Sequence, residues 1–322
     1  MSETRRRKAP WLAAAAVAPA VLACAEPAGR SPGPPRAIGE RPRAESAEAP
    51  GRAIAFERER DGNTDLWVVA AEGGVERRLT RHPAKDILPR WTPDGAAIVF
   101  SSLRDGHWQL YRVELQGGRP ERLRANPHRE WQADPTPDGE GYAFLSSLDG
   151  PEGLFVVPWS GGAPRRLVQH GRGVDLGNPD WSLDMRRIVY SSNRGVGGHR
   201  TYVLDLEAGD ERRVSPLAEG GCEPRFAPEG RRVAWVRRQH LTRDRSWIVE
   251  GHLETGEQRE LVAWQALNYD PVYSPEGDEI AFASTVAGEY AIYRMRLADG
   301  QSRRVSFGPG GARHPDYRPA PR

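Results

Sequence analysis

Residues 88–123 decide the fold of this chain, and they read LPRWTPDGAAIVFSSLRDGHWQLYRVELQGGRPERL. The stretch contains four short apolar runs separated by three turn signals: Pro93-Asp94-Gly95, Asp105-Gly106 and Gly117-Gly118. Short runs bounded by Gly, Pro and Asp are typical of β-strands joined by tight turns. The stretch therefore predicts a sheet of four short strands.

The same pattern recurs to the end of the chain. The aromatic residue of the second strand occurs six times, at spacings of 44 to 47 residues: Phe56, Phe100, Phe144, Tyr190, Trp235 and Phe282. The aromatic residue of the third strand marks the same repeats at Trp67, Tyr111, Phe155, Tyr202, Trp247 and Tyr293. The end of the fourth strand marks them again at Leu79, Leu123, Leu167, Val214, Leu261 and Val305. These markers indicate six repeats of about 45 residues, and we expect their aromatic residues to pack between repeats.

The segment that forms the first strand of each repeat is missing before the first repeat and occurs once more after the last one. A copy at 314–319 has no strands after it, whereas the repeat that starts near Gly51 has no copy before it. A lone four-stranded sheet leaves both faces uncovered, and radial stacking into a ring buries them. We therefore predict an all-β fold, a six-bladed β-propeller of four-stranded antiparallel blades. The C-terminal strand at 313–318 would close the ring by pairing into the first blade.

The repeat resembles that of the TolB-like propellers. The resemblance lies in residues 89–95 with their Pro-Asp-Gly turn, the strand 98–102, the turn at Asp105-Gly106 and the Leu110-Tyr111 pair. It covers residues 51–322 and implies a six-bladed β-propeller in the periplasm. TolB carries an additional α/β domain before its propeller, where this chain has only residues 25–50, so contacts made through that domain are not implied.

Three repeats depart from the pattern of the family. Pro135 replaces the inner aromatic residue of the third repeat, and the fourth repeat lacks the turn glycine. The fifth repeat carries an insertion around 239–245.

The N-terminal residues have the layout of a secretory signal. A basic run from Arg5 to Lys8 precedes a small apolar stretch at 9–23, which is short for a membrane span. It ends in Val21-Leu22-Ala23-Cys24, which resembles a bacterial lipobox, so residues 1–23 are predicted to be a lipoprotein signal peptide and Cys24 the lipidated residue. An ordinary cleaved signal with an incidental cysteine is the alternative. Because Ala25 is not aspartate, the resemblance implies the outer membrane.

Residues 24–50 are rich in Pro, Ala, Gly, Arg and Glu, and we predict a disordered tether there. The whole chain has a net charge of +2, and residues 1–24 carry about +3 of positive charge. The rest of the chain is therefore close to neutral. A near-neutral body argues against nucleic acid as a partner. The membrane would be contacted only through the lipid anchor. The other cysteine, Cys222, is predicted to be a small buried residue.

The repeats differ from one another most at two positions of the inner strand. At the first position they read Leu88, Gln132, Asn178, Glu223, Asp270 and His314, which we call the first ring. Two residues later they read Arg90, Asp134, Asp180, Arg225, Val272 and Asp316, which we call the second ring. Inner strands surround the channel of a propeller, so these side chains are predicted to lie at the channel mouth. Nearby loops add His82, Asp86, His128, Trp131, His170, Asp175 and Tyr269.

The binding residues predicted at this mouth are Asp86, Gln132, Asn178, Glu223, Asp270, His314, Arg90 and Arg225. A ligand, sugar, peptide or metal bound on the axis is one interpretation, and a hydrated channel is the other. Some propeller lyases that act on uronate sugars bind a metal through axial histidines. This chain has one histidine in the first ring, so we predict neither a bound metal nor a cofactor.

Catalytic motifs are missing from the sequence. It has no Gly-x-Ser-x-Gly elbow, no His-Glu-x-x-His, no phosphate loop and no dinucleotide fingerprint. The leading hypothesis is a monomeric, non-catalytic module of the cell envelope that binds a protein, such as a peptidoglycan-associated partner, or a glycan. The competing hypothesis is an enzyme that acts on polysaccharide through His314, Asp270 and Glu223, like a uronate lyase.

Overall fold

The computed structural model describes residues 52–195, 197–238 and 244–320. The predicted signal peptide, Cys24, the tether and most of the insertion around 239–245 lie outside these residues. The described residues form strands and turns without a helix. None of them forms a helix long and apolar enough to cross a membrane.

Within the described part of the chain, twenty-four strands form six antiparallel sheets of four strands each, which confirms the predicted propeller. Blade 1 contains β1 (Ala53–Arg60), β2 (Asn63–Ala70), β3 (Arg77–Arg78) and the last strand of the chain, β24 (Ala312–Tyr317). Blade 2 contains β4 (Asp86–Trp91), β5 (Ala97–Ser102), β6 (Gln109–Glu114) and β7 (Glu121–Arg122). Blade 3 contains β8 (Glu130–Pro135), β9 (Gly141–Ser146), β10 (Gly153–Pro158) and β11 (Arg165–Gln169).

The remaining blades repeat this order. Blade 4 contains β12 (Leu176–Trp181), β13 (Arg187–Ser192), β14 (Arg200–Asp205) and β15 (Glu211–Arg213). Blade 5 contains β16 (Cys222–Phe226), β17 (Arg232–Arg237), β18 (Trp247–His252) and β19 (Gln258–Val262). Blade 6 contains β20 (Asn268–Tyr273), β21 (Glu279–Ser284), β22 (Ala291–Arg296) and β23 (Ser302–Arg304).

The ring closes as the displaced repeat predicts. Strand β24 pairs antiparallel with β1, with Tyr317 opposite Ile54 and Asp316 opposite Ala55. On the other side of this seam, Ile54 and Phe56 share an apolar cluster with Ala281 and Ile292 of blade 6. Backbone pairing therefore joins the two ends of the chain within blade 1, and apolar packing joins blade 1 to blade 6.

The aromatic markers of the second strands form the core between blades. All six, from Phe56 to Phe282, are 0% exposed. In most blades the third-strand marker lies directly opposite, as Phe100 does with Tyr111. In blade 5 the register places Val249 opposite Trp235, and Trp247 pairs with Arg237. Trp247 therefore occupies the strand end beside the insertion, and its equivalence to the other markers, inferred from spacing, is wrong.

The turns that follow the inner strands depend on a left-handed residue. Gly95 and Gly139 have φ angles of 63° and 77° at this position. In blade 4, where the turn glycine is missing, Met185 takes the same conformation with φ of 58°. Left-handed backbone is costly for a residue with a Cβ atom, so blade 4 keeps the turn at the expense of local strain.

Candidate functional site at the propeller axis

The first ring lies at a bulge in the inner strands. All six of its residues have positive φ, between 48° and 57°, and they include a leucine and a histidine. The bulge interrupts pairing with the second strand; in blade 2, for example, Ile87 and Arg90 are paired but the two residues between them are not. The residue after the ring position is proline in five blades: Pro89, Pro179, Pro224, Pro271 and Pro315. A bulge bends its strand and redirects side chains, so the chain departs from regular pairing where the blades meet the axis.

Several first-ring side chains join one blade to the next. Gln132 Oε1 accepts a hydrogen bond from the backbone N–H of Asn178 at 2.5 Å. Glu223 Oε2 accepts from the N–H of Asp270 at 2.7 Å, and Asp270 Oδ2 accepts from the N–H of His314 at 3.1 Å. These predicted site residues therefore stabilise the ring of blades.

Glu223, Asp270 and His314, three first-ring residues of neighbouring blades, converge in the structure. Their ligand atoms all lie within 4.8 Å of one another, and all three residues are buried. His314 Nε2 is 3.1 Å from Asp270 Oδ1, and its Nδ1 is 3.0 Å from Glu57 Oε1. Arg313 Nε is 3.1 Å from Asp270 Oδ2, and Arg313 Nη2 is 3.6 Å from Glu223 Oε1. The sequence analysis missed Arg313 and Glu57, because neither occupies a ring position.

The protonation states of this cluster follow from burial and from charge. Burial, together with the Asp270 carboxylate, raises the pKa of Glu223 to about 8. Burial also disfavours charge on Asp270, but Arg313 and His314 outweigh it and lower the pKa of Asp270 to about 2. Burial opposes the charge on His314, and the carboxylates of Asp270 and Glu57 outweigh it and raise the pKa of His314.

The same cluster gives a poor fit to a metal ion. Arg313 pairs with Asp270 and lies 3.6 Å from Glu223 Oε1, and His314 is held between Asp270 and Glu57. A metal needs deprotonated ligands and a neutral imidazole. Binding one would place a further positive charge beside the guanidinium of Arg313, where burial together with the Asp270 carboxylate raises the pKa of Glu223.

The second ring forms a second charged layer around Arg90. The Arg90 guanidinium lies 3.3 Å from Asp316, and 3.6 Å from each of Asp134 and Asp180. Arg90 Nη2 also donates to the carbonyl of Pro179 at 3.1 Å. Arg225 donates to Asp180 Oδ1 at 3.1 Å. Burial opposes the charge on Arg90, but the three carboxylates outweigh it and raise its pKa.

Each aspartate of the second ring also caps the blade that follows it. Asp316 Oδ2 accepts from the N–H of Trp91 at 2.8 Å. Asp134 Oδ2 accepts from Trp181 at 3.0 Å, and Asp180 Oδ2 accepts from Phe226 at 2.8 Å. The caps satisfy N–H groups on the free inner edge of the strands, which have no neighbouring strand to accept them.

A small void lies between the two rings, and a much larger cavity lies on the other side of the second ring. The void is lined by Leu88, Gln132, Asn178 and His314 of the first ring and by Arg90 and Arg225 of the second, and its volume is about 20 Å³. That is room for about one water molecule. Beyond the second ring, where the inner strands end, a cavity of about 350 Å³ opens to solvent.

We call this larger cavity the turn-face funnel. All six blades line it with the second-ring residue, the inner aromatic position and the turn that follows, including Trp91, Pro93, Pro135, Pro137, Trp181, Leu183, Phe226, Pro228, Tyr273, Pro275, Tyr317 and Pro319. The sequence analysis placed most of the site at the other end of the channel, where the loops from the fourth strands enter, although two of its predicted residues, Arg90 and Arg225, line the funnel. The repeated aromatic-x-Pro pattern was the available signal for the funnel, and it was interpreted as scaffold alone.

Other predicted residues do not join the axis. Asp86 is fully buried, and its carboxylate accepts from Arg104 Nη2 at 2.9 and 3.0 Å within blade 2. His82 Nδ1 accepts from the N–H of Ala84 in its own loop. His170 lies 4.0 Å from Glu211 in blade 4. Cys222 is 3% exposed at the start of β16, in agreement with its predicted burial.

Comparison with known proteins gives the repeat a family context. Residues 44–140 match the family model described as the TolB beta propeller domain. The chain is also 26% identical over 142 residues to a Bacillus subtilis protein described as the uncharacterized peptidase YuxL. That match covers 34% of this chain and 22% of the relative, so the chain spans less than a quarter of that protein's length.

Solved structures show the same fold. TolB from Acinetobacter baumannii matches with a TM-score of 0.72 and 19% identity, over 84% of this chain and 67% of that one. An oligogalacturonate lyase in complex with manganese matches with a TM-score of 0.53 and 18% identity, over 82% of this chain and 76% of that one. A TolB protein and a lyase share this propeller, so the fold alone does not select the function.

Proposed function

Because this chain is a TolB-like six-bladed β-propeller, we propose that it acts as a non-catalytic binding module of the bacterial cell envelope. The observation that carries the proposal is the turn-face funnel, a cavity of about 350 Å³ on the axis to which all six blades contribute. Concave, largely apolar cavities with a few polar groups are the usual form of binding sites. Its partner is an envelope protein, such as a peptidoglycan-associated one, or a glycan.

The pairing of the axial charged groups supports binding over catalysis. Arg90 faces three aspartates, and Arg225 faces Asp180. The carboxylates of this ring also cap backbone N–H groups of the next blade. These carboxylates and guanidinium groups are thus occupied by one another and by the backbone. They position the blades and form the floor of the funnel.

Two exposed leucines allow a matched test of which face binds. Leu183 lies on the rim of the funnel and is 56% exposed. Leu217 is 52% exposed and lies between β15 and β16, in a loop at the opposite end of the channel. The expected result is that Leu183→Asp abolishes retention of envelope proteins or cell-wall fragments by the immobilised protein, and that Leu217→Asp does not.

A photo-crosslinking residue at each position makes this test specific. Crosslinks formed in cells at position 183 and absent at 217 would support docking at the funnel. Loss of retention in Leu217→Asp alone, or retention by both variants at the level of the unaltered protein, would overturn it.

Lipid anchoring at Cys24 and a periplasmic position at the outer membrane are part of the proposal. Their support is the signal-like layout of residues 5–24 and the periplasmic location that the resemblance to TolB-like propellers implies. The expected result is that Cys24→Ser moves the protein from the membrane fraction to the soluble periplasmic fraction. Unchanged membrane association of that variant would rule out the anchor. In solution the propeller is expected to sediment as a monomer.

A polysaccharide-active enzyme is the second candidate, and the convergence of Glu223, Asp270 and His314 favours it. The structural match to an oligogalacturonate lyase gives it further support. It would require bound metal in the purified protein and activity on uronate polymers that is lost in His314→Ala. A metal-free, inactive preparation would exclude this candidate.

A further inference from the structure

A second cavity lies where the end of the outer strand of blade 1 meets the outer half of blade 2. We call it the lateral cavity, and its volume is about 530 Å³. It is lined by Leu79, Thr80, Arg81 and His82 of blade 1 and the loop after it, and by Arg104, Asp105, Tyr111, Gly118, Arg119 and Pro120 of blade 2. None of these described residues belongs to either ring, so the cavity is separate from the axis.

Two charged groups in its wall are compensated by neighbours. Arg104 Nη2 donates to both carboxylate oxygens of Asp86, at 2.9 and 3.0 Å. The same guanidinium lies over the ring of Tyr111, 4.4 Å from its centroid, which fixes its position. Asp105 Oδ2 lies 3.2 Å from Arg122 Nη1 and accepts from Tyr111 Oη at 2.7 Å. These two ion pairs leave that part of the wall without net charge.

The other two charged residues of the cavity have no counter-charge. Arg81 and Arg119 are exposed, and neither makes a hydrogen bond or ion pair with any described residue. Arg81 comes from the loop that leaves blade 1, and Arg119 from the last hairpin of blade 2. Two uncompensated guanidinium groups from neighbouring blades therefore border the same cavity.

Both arginines depart from the repeat. Arg81 lies two residues after the fourth-strand marker, where the other repeats carry Ala125, Gln169, Pro216, Ala263 and Phe307. Arg119 lies four residues before the next marker, where the others carry Val75, Ala163, Asp210, Glu257 and Gln301. The propeller is thus built without an arginine at either position in the other blades, and the two exceptions occur together.

The cavity also presents donors in excess of acceptors. His82 Nδ1 accepts from the N–H of Ala84 at 3.1 Å, so Nε2 carries the ring proton and is a donor. The planar forks of guanidinium groups match the oxygens of phosphate. A phosphate monoester carries a charge of about −1.5 to −2 at neutral pH, which balances Arg81 and Arg119. A carboxylate has a single charge and two oxygens, so it would leave one guanidinium without a partner.

From this arrangement we infer that the lateral cavity binds a phosphate monoester group. This chemistry is shared by a sugar phosphate and by the headgroup of phosphatidic acid. Arg81 and Arg119 supply the charge that holds the phosphate. Arg104, fixed by Asp86 and Tyr111, forms the wall beside it. The inference goes beyond the proposed docking function, because it concerns a different cavity.

The test is calorimetric titration of the whole protein at low ionic strength in a phosphate-free buffer. Glucose 6-phosphate is the probe, and glucose and glucuronate are the controls. The phosphate is expected to bind at least about tenfold more tightly than glucuronate, and its affinity is expected to fall as salt is added. No binding of glucose 6-phosphate, or equal binding of glucose or glucuronate, would overturn the inference.

Matched variants assign binding to the lateral cavity. Arg81→Gln and Arg119→Gln are each expected to weaken glucose 6-phosphate roughly threefold or more, and the double variant at least about tenfold. Arg165→Gln, at an exposed arginine of β11 in blade 3, is expected to leave its affinity unchanged. Because all three side chains are exposed, the variants are expected to fold like the unaltered protein. Equal affinity in the double variant and in Arg165→Gln would contradict the assignment.

Vesicles distinguish the two sources of the phosphate. Sedimentation compares phosphatidylcholine vesicles with and without phosphatidic acid. Because a lipid anchor inserts equally into both, only the difference between them reports on the cavity. Retention that needs phosphatidic acid and falls in the double variant supports a lipid headgroup. Equal retention on both, with glucose 6-phosphate bound in solution, supports a sugar phosphate. The docking proposal is tested separately by Leu183→Asp and Leu217→Asp, so either proposal can fail while the other holds.

Discussion

Arg90 and Pro135 compensate each other across the boundary between blades 2 and 3. Asp316, Asp134 and Asp180 each cap the N–H of the aromatic residue in the following blade. Arg90 stands at the same ring position but has no acceptor to offer. The residue that it would cap is Pro135, which has no N–H. The two departures from the repeat therefore remove an acceptor and a donor together.

This relationship predicts a favourable coupling in a double-mutant cycle. Arg90→Asn restores an acceptor and Pro135→Phe restores an N–H, so the double variant is expected to be more stable than the sum of the single effects by roughly 0.5–2 kcal/mol. The measurement is the free energy of unfolding from urea titration. In a matched cycle Arg90→Ala replaces Arg90→Asn. Because alanine has no side-chain acceptor for the new N–H, no coupling is expected in that cycle. Equal coupling in both cycles would show that the effect is steric.

Arg90 is expected to be important for stability because three carboxylates depend on it. Arg90→Met leaves them without their shared partner at neutral pH, and the expected loss is roughly 3–5 kcal/mol, as for other buried pairs broken on one side. The loss is expected to shrink in acid, because the aspartates then bind protons. Arg60→Met is the control, since the side chain of Arg60 is 57% exposed and pairs with the exposed side chain of Asp61; a change under about 1 kcal/mol is expected. Similar losses in the two variants would contradict the role assigned to Arg90.

Asp134 makes stability depend on pH. Burial raises the pKa of Asp134 from its usual 3.8 to about 6 in the folded protein. Between these values the folded state holds more protons than the unfolded state, so this residue makes stability fall as pH rises from about 4 to 6. Asp134→Asn is expected to match the unaltered protein near pH 3.5 and to gain on the order of 1 kcal/mol at pH 7. Chemical denaturation at both pH values checks this, and a constant difference across the range would refute it.

The strained turn of blade 4 can be relieved. Met185 has φ of 58° where other blades carry glycine, so Met185→Gly is expected to stabilise the protein by a few tenths to about 1 kcal/mol. The reverse change, Gly139→Met, is expected to destabilise it by about 1 kcal/mol. A Cβ atom at Gly139 would meet no heavy atom within 4 Å, so its cost is conformational. Opposite shifts in thermal midpoint would support this account, and shifts of the same sign would refute it.

The sequence predicted the architecture because the turns and strands of each repeat are specified by neighbouring residues. Pro-Asp-Gly turns and alternating apolar strands recur at 44 to 47 residues, and the unpaired copy at 314–319 indicates how the ring closes. The spacing of the repeats misidentified Trp247 as the aromatic residue opposite Trp235. The insertion before β18 shifts the pairing of this strand, so Val249 lies opposite Trp235 instead. The repeat period predicts that a strand occurs at a given place in the chain. The hydrogen-bond register of that strand also depends on the length of the loop before it.

The sequence also selected the positions that reach the axis, because an inner strand in every repeat must face the channel. It could not determine how six distant residues combine there. Arg90 meets Asp134, Asp180 and Asp316 only because ring closure brings four blades together, and charge balance depends on those distances. Likewise, aromatic residues that are scaffold within one blade become the walls of a funnel when six blades converge. The repeated chemistry of the chain thus determined the propeller, and tertiary structure alone decided which end of its axis opens into the larger cavity.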